Sequence, residues 1–146
     1  MSNFKFKLQK LLDIKIKDEE ESKLRYTQAQ NKKRVTEKSL KSLELNYEKY
    51  SDLSKPKDIV TQKITINYLA SLTQSIKETN ENLKKQEIKV HEAKEDFIQR
   101  QIKRKSLETL KENALEKSRN EEERVEQITN DEFALYAYMR NQAKLL

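Results

Sequence analysis

The chain has 146 residues, of which 38% are charged and only 34% are hydrophobic. Globular domains are about 45–50% apolar, so a compact globule of this composition would lack the apolar surface that offsets its conformational entropy. The absence of cysteine excludes disulfide bonds and thiolate metal sites. Because the apolar residues are periodic and glycine and proline are nearly absent, an elongated helical protein is favoured over a disordered chain.

The net charge of +6 results from 31 basic and 25 acidic residues. This small excess permits binding to nucleic acids or anionic membranes without arguing for either. No apolar run is long enough to span a bilayer. Residues 1–8 include lysines but not the apolar core of a secretory signal, so we expect a cytoplasmic protein.

The first predicted helix extends from Asn3 to about Leu53. Its second half has mostly apolar or small residues at alternating spacings of four and three, which is the pattern of a coiled-coil seam. The predicted seam positions are Ser22, Tyr26, Ala29, Lys33, Thr36, Leu40, Leu43, Tyr47 and Tyr50.

The predicted turn lies at residues 54–58 and contains Pro56, the only proline in the chain. Proline lacks a backbone donor and clashes with the preceding helical turn, and Asp58 is a suitable N-cap for a following helix. Since no second break of this kind occurs, the sequence predicts two long helices joined by one turn.

The second predicted helix covers about residues 59–145 and has a seam of its own. The seam phase shifts after residue 97 and restarts near residue 107, which predicts a stutter in the supercoil. The predicted seam positions before the shift are Ile66, Leu69, Thr73, Ile76, Asn80, Leu83, Glu87, Val90, Lys94 and Phe97.

A turn centred near Pro56 predicts a register in which the numbers of facing residues add up to about 112. This register would place Leu43 beside Leu69. The predicted fold is therefore all-α, with two long helices forming one antiparallel coiled-coil hairpin over residues 1–146. Because the second helix is the longer one, residues 108–146 would form a C-terminal overhang without a partner.

The composition does not offer the chemistry of an enzyme. A chain without glycine cannot form a phosphate-binding loop of the usual kind, and His91 is the only histidine. Two helices also do not enclose the concave, water-poor cavity that catalysis needs. We therefore predict a non-enzymatic protein with no catalytic residue, no cofactor and no metal site.

Two clusters stand out as candidate binding surfaces. Tyr47, Tyr50 and Tyr68 lie near the turn, where a two-helix seam is too narrow to bury them all, and exposed tyrosines are common at protein interfaces. They could equally close the end of the seam. The second cluster is a basic collar near the chain ends, which could contact an acidic surface or simply be solvated; it consists of Lys5, Lys7, Lys10, Arg100, Lys103, Arg104 and Lys105.

Three segments, which together extend over nearly the whole chain, carry distinctive sequence patterns. The first is the N-terminal pattern Phe4-x-Phe6-x-Leu8-x-x-Leu11-Leu12-Asp13-Ile14-Lys15. The second is Ile66-Asn67-Tyr68-Leu69, and the third is Asp131-Glu132-Phe133-Ala134 followed by Met139-Arg140. In their order and spacing these segments resemble the flagellar FliJ family. The sequence departs from some members in lacking tryptophan.

The resemblance implies a stalk-like component of the flagellar type III export apparatus at the cytoplasmic face of the inner membrane. Its implied partners are the hexameric export ATPase, the cytoplasmic domain of the export gate, and export chaperones. The candidate gate-binding residues are Leu43, Tyr47, Tyr50, Tyr68, Leu72, Ser75 and Thr79. The candidate ATPase-ring contacts are Phe4, Lys5, Lys7, Lys10, Arg100, Lys103, Arg104, Lys105, Phe133 and Arg140.

Two alternative functions stay open at this point. One is a purely structural coiled-coil spacer, which would have no saturable effect on an ATPase. The other is a basic helical arm that binds nucleic acid. Such an arm would need basic residues aligned along one face, whereas acidic residues interrupt nearly every turn of this chain.

Overall fold

The computed structural model describes residues 3–52 and 58–145, and within these ranges the secondary structure consists of two α-helices. Helix α1 covers Gln9–Tyr50 and has 42 residues, and helix α2 covers Ile59–Leu145 and has 87 residues. The prediction of an all-α hairpin with a longer second helix is confirmed. Pro56 and the predicted end of the first helix at Leu53 lie outside the described residues.

The two helices begin in different ways. Helix α1 begins at Gln9 rather than at Asn3, after a turn in which the Gln9 N–H donates to the carbonyl of Phe6 at 3.1 Å. Helix α2 is capped by Asp58, whose Oδ1 accepts a hydrogen bond from the Thr61 N–H at 2.7 Å. The predicted N-cap is therefore confirmed. Hydrogen bonds from the Thr61 side chain and from the Thr61 N–H favour the ionised carboxylate and lower the pKa of Asp58.

The chain divides into two compact units, and each contains parts of both helices. The hairpin unit is Lys17–Gln101, in which the later part of α1 packs antiparallel against the first half of α2. The terminal unit combines Met1–Ile16 with Ile102–Leu146. Each unit therefore depends on residues that are distant in sequence.

The seam in both units is thin. Among the described residues only Leu12, Ser22, Thr36 and Leu72 are buried. The two buried hydroxyls are satisfied locally, because Ser22 donates to the Glu19 carbonyl at 2.8 Å and Thr36 donates to the Lys32 carbonyl at 3.1 Å. Ser22 and Thr36 thus occupy the seam without leaving their hydroxyl groups unpaired.

The predicted seam of α1 is confirmed from residue 22 to residue 43, where every predicted position is buried or half-buried. Half of the predicted seam of α2 is wrong. Five of its positions are exposed, and the inward positions lie one residue earlier in each heptad: Thr65, Leu72, Thr79, Gln86 and Ala93 replace Ile66, Thr73, Asn80, Glu87 and Lys94.

The predicted stutter after Phe97 is also not observed. With the corrected positions, the same four–three spacing of less exposed residues continues along α2 without a phase shift; it passes through Phe97, Arg100, Arg104, Leu107, Lys111, Ala114 and Ser118. The apparent shift resulted from assigning Lys94 instead of Ala93 to the inner face of the helix.

The predicted register is wrong by about one heptad. Tyr68 packs against Tyr50, six residues further along α1 than the partner it was assigned, and Arg100 contacts Asp18 instead of the region of Leu12. The heptad repeat explains the error, because sliding one helix by a heptad brings seam positions back onto seam positions. The first two turns of α2 consequently come before Tyr68, the residue at which α2 contacts Tyr50 of α1.

Candidate functional site

The tyrosine cluster near the turn consists of Tyr47, Tyr50 and Tyr68. The rings of Tyr50 and Tyr68 meet edge to face, with centroids 5.2 Å apart, and the Lys49 ammonium lies 5.5 Å from the centroid of the Tyr50 ring. The three tyrosines are each about 40% exposed. The cluster is therefore ordered by its own contacts but still presents aromatic surface to solvent.

The other candidate gate-binding residues lie closer to the seam. Leu72 is only 5% exposed, and Leu43, Ser75 and Thr79 are half-buried. These four side chains cannot offer much surface to a partner.

Sequence reasoning missed an apolar patch at the start of α2. Ile59, Val60, Ile64 and Ile66 are each more than half exposed on the first two turns of this helix. Exposed aliphatic residues in such density mark interaction surfaces. The signal is present in the sequence as a run of β-branched residues directly after Asp58, of which the predicted seam includes only Ile66.

The terminal unit contains an apolar hollow beside the N-terminal segment. Phe4, Phe6 and Leu8 line it together with Leu110 and Ala114 of α2, and its volume is about 540 Å³. Lys5 and Lys7 lie at its edge, and Lys10 and Lys111 line an adjoining shallow hollow. This arrangement brings aromatic and basic side chains together at the chain start.

The predicted basic collar is not assembled as expected. The N-terminal lysines lie next to Leu110, Lys111 and Ala114 instead of next to Lys103 and Lys105, which is the same one-heptad displacement as in the hairpin unit. Lys103 and Lys105 are exposed. Arg104 also differs from the prediction, because it forms an ion pair with Glu108 at 2.7 Å.

Arg100 belongs to the hairpin unit and forms an ion-pair network there. It contacts Asp96 at 3.1 Å and Asp18 at 3.6 Å, and Arg25 contacts Asp96 at 3.3 Å. Burial raises the pKa of Asp96, but hydrogen bonds from Arg100 and Arg25 lower it by more, so the pKa lies below its ordinary value. The network connects α1 to α2 and gives Arg100 a structural role.

The C-terminal part of α2 is exposed along its whole described length from residue 119 to residue 144. Phe133 is 68% exposed and Tyr136 is 64% exposed, and Arg140 is exposed as well. The only ion pair that the described part of this segment shows joins Glu121 to Arg124 at 2.6 Å, which lowers the pKa of the Glu121 carboxyl through that hydrogen bond. No described residue outside the helix covers its apolar side chains.

Within residues 3–52 and 58–145 there is no group of histidine and acidic residues that could hold a metal ion. Neither helix, over its described residues, contains a window apolar enough to cross a membrane.

A family model described as flagellar FliJ protein matches residues 4–143, nearly the whole chain. No curated protein and no solved structure matches the chain.

Proposed function

This chain belongs to the flagellar FliJ family and is a component of the flagellar export apparatus, and we propose that it acts there as the central stalk of the export ATPase. In this role the N- and C-terminal segments enter the hexameric ATPase ring, and the tyrosine cluster contacts the cytoplasmic domain of the export gate. The stalk thereby couples the ATPase to the gate and to export chaperones. It carries no cofactor and contacts the membrane only through its partners.

The observation that carries the proposal is the uncovered C-terminal part of α2. Phe133, Tyr136 and Met139 are each more than half exposed. Burying one such side chain fully in an interface is worth about 1.5–3 kcal/mol. A helix of this kind is suited to a lumen that surrounds it, because several faces of the helix then find apolar or charged partners at once.

The N-terminal hollow also supports a contact between the terminal unit and the ATPase ring. Lys5, Lys7, Lys10 and Lys111 surround aromatic side chains there. Lysines at the rim of an apolar contact chiefly raise the rate of encounter with an acidic surface and set the register. Lys103 and Lys105 are exposed on the adjoining turns of α2 and can contribute to the same field.

The gate contact is supported by the tyrosine cluster and by the apolar patch that precedes it along α2. Tyr50 and Tyr68 offer large, partly ordered aromatic surfaces with polar tips, the combination found at binding hot spots. Ile59 and Ile64 extend the same apolar character toward the turn. We therefore include this patch in the proposed gate-binding surface.

A truncation tests the ring contact. Ending the chain after Ser118 removes residues 119–146, of which residues 119–144 are exposed, and keeps Leu110 and Ala114, which line the N-terminal hollow. We expect the shortened chain to stay helical but to lose stimulation of the cognate export ATPase. A matched full-length control, Lys117→Ala, should stimulate normally.

Circular dichroism and a steady-state ATPase assay decide between the candidate functions. Undiminished stimulation by the shortened chain would contradict the stalk placement. Absence of any stimulation by the full-length chain would favour the structural spacer instead.

A further inference from the structure

The net positive charge of the chain is concentrated in the middle of the hairpin unit. Residues 22–36 of α1 contain five basic residues and no acidic one, and residues 82–91 of α2 contain three lysines and one glutamate. These two stretches, which we call the basic midsection, carry a net charge of +7 from eight basic residues and one glutamate, slightly more than the +6 of the whole chain. The rest of the chain is close to neutral on balance.

Both stretches of the basic midsection border one polar hollow of about 250 Å³. Lys32, Lys85 and Lys89 line it, and no described carboxylate forms an ion pair with any of the three. The carboxamide oxygen of Gln86, which also lines the hollow, is buried without a hydrogen-bond partner among the described residues. The hollow therefore offers three uncompensated cations and one unsatisfied acceptor.

Exposed apolar side chains flank these cations. Leu24 is 58% exposed and Val35 is 67% exposed, and both lie at helical spacing with Lys32 on one face of α1. On α2, Ile88 is 60% exposed and lies one turn from Lys85. The midsection thus has the mixed apolar and basic character of a binding face.

The opposite pattern occurs in the C-terminal part of α2. Residues 121–132, which we call the acidic segment, contain six carboxylates and one basic residue, Arg124. Val125 and Ile128 are about half exposed on one face of this helix. Five of the six carboxylates have no ion-pair partner in the described part of the chain; they are Glu122, Glu123, Glu126, Asp131 and Glu132.

We propose that the acidic segment of one molecule docks on the basic midsection of a second copy, so that a two-fold dimer makes the contact twice. Residues 121–132 extend about 18 Å as a helix, and residues 22–36 extend about 22 Å, so the two faces match in length. Val125 and Ile128 pack beside the exposed apolar residues of the midsection, while the flanking carboxylates meet its lysines.

The hollow is too small to enclose a typical small-molecule ligand, since such pockets have volumes of about 300–1,000 Å³, but it accepts side chains of a docked helix.

The proposal does not depend on the stalk role. If both hold, the dimer covers part of the helix that the ATPase ring would contact. Dimer dissociation then precedes ring entry.

Sedimentation velocity of the full-length chain tests the proposal. We expect a concentration-dependent dimer at 50 mM NaCl whose dissociation constant rises at least about tenfold at 500 mM NaCl, because salt screens exposed charge pairs. A chain that stays monomeric up to about 0.5 mM protein, which corresponds to less than about 5 kcal/mol of association free energy, would overturn the proposal. So would a dimer that is insensitive to salt.

Charge-reversed variants identify the two faces. The basic-face variant is Lys32→Glu, Lys85→Glu and Lys89→Glu, and the acidic-face variant is Glu122→Lys, Glu123→Lys and Glu126→Lys. Each variant alone should dimerise at least about tenfold more weakly, because like charges then face each other.

The two variants mixed in equal amounts should form a heterodimer of nearly wild-type affinity, because each reversed face then meets its complement. The control reverses the same number of charges on exposed lysines outside the midsection: Lys41→Glu, Lys63→Glu and Lys77→Glu. It should dimerise as the wild type does.

Three results would refute the proposed pairing. The first is a mixture that does not restore the dimer although both variants are helical by circular dichroism. The second is equal loss in the control, which would indicate a general charge effect. The third is a monomeric chain whose midsection binds duplex DNA, since the basic residues would then serve a nucleic acid.

Discussion

Two regions of the same helix experience opposite surroundings. In the first half of α2, the inward positions face α1 and Leu72 is 5% exposed, whereas Leu135 in the second half is 55% exposed. Both regions are helical and rich in charged residues. Helix formation and side-chain burial are therefore separate here: good helix formers maintain α2 over its whole length, but only α1 supplies a surface on which its apolar residues can be buried.

The difference also assigns different roles to the two regions. Contacts across the hairpin unit stabilise the fold, and their loss should unfold it. The C-terminal region contributes little to folding and keeps its apolar and acidic side chains available for partners.

The largest effect is expected from shortening the buried leucine. Leu72→Ala should destabilise the hairpin by about 2–3 kcal/mol, toward the low end of the range for buried leucine because the seam is thin. Leu135→Ala should change stability by less than about 0.5 kcal/mol. Urea unfolding followed by circular dichroism compares the two variants. Equal losses would show that the C-terminal region is as well packed as the hairpin unit.

In the tyrosine cluster, substitutions should weaken binding to the export gate but leave the stability of the fold nearly unchanged. Tyr50→Ala with Tyr68→Ala should weaken binding to the cytoplasmic domain of the export gate by more than about 2 kcal/mol, the usual threshold for hot spots. Isothermal titration measures this, and Tyr138→Ala in the C-terminal region is the matched control. Global unfolding of the double variant would instead mean that these tyrosines are structural seam residues.

The smallest effect concerns the ion-pair network of the hairpin unit. The pKa of Asp96 is lowered in the folded chain, so its contribution to stability is present above the unfolded value of about 3.9 and is lost as the pH falls through the folded value. Asp96 and its arginines are partly exposed, so we expect less than about 1 kcal/mol.

The free energy of unfolding, measured between about pH 6 and pH 2, isolates the contribution of the Asp96 carboxylate to stability. The wild type should be more stable than Asp96→Asn near neutral pH, and the gap should close below about pH 4. Glu126→Gln, from the acidic segment, serves as the control and should show no such gap. A difference between wild type and Asp96→Asn that persists at pH 2 would mean that the variant acts through packing and not through charge.

Much of the fold was predictable because it depends on local chemistry. The single break was predicted from residues 54–58, and Asp58 caps α2 as its side chain predicts. The seam of α1 was also predictable between residues 22 and 43, because leucine, tyrosine and small residues alternate there with charged ones. These features require information from only a few neighbouring residues.

The seam of α2 was only half predictable. Leu69, Ile76, Leu83, Val90 and Phe97 mark one position of each heptad clearly, and all are inward-facing. At the other position the neighbouring residues are often both small or polar, as with Gln86 and Glu87. Neighbouring residues on a helix point about 100° apart, so either choice gives an acceptable stripe when no large apolar residue decides between them.

The candidate binding surfaces were predictable to a similar degree. The tyrosine cluster was recognised from composition near the turn, although Leu72, Ser75 and Thr79 prove to lie nearer the seam than the surface. The collar was misplaced because its assembly depended on the register. The polar hollow among Lys32, Lys85 and Lys89 requires both helices in their actual alignment and could not be seen in the sequence.

The sequence by itself determined that this protein is all-α, that it forms two helices of unequal length, and where the second one starts. The tertiary structure alone decided how far the helices slide past each other and which side chains each surface contains. The physical reason is the heptad repeat: registers one heptad apart bury nearly the same seam positions. Only specific pairs, such as Tyr50 with Tyr68 and Arg25 with Asp96, distinguish between those registers.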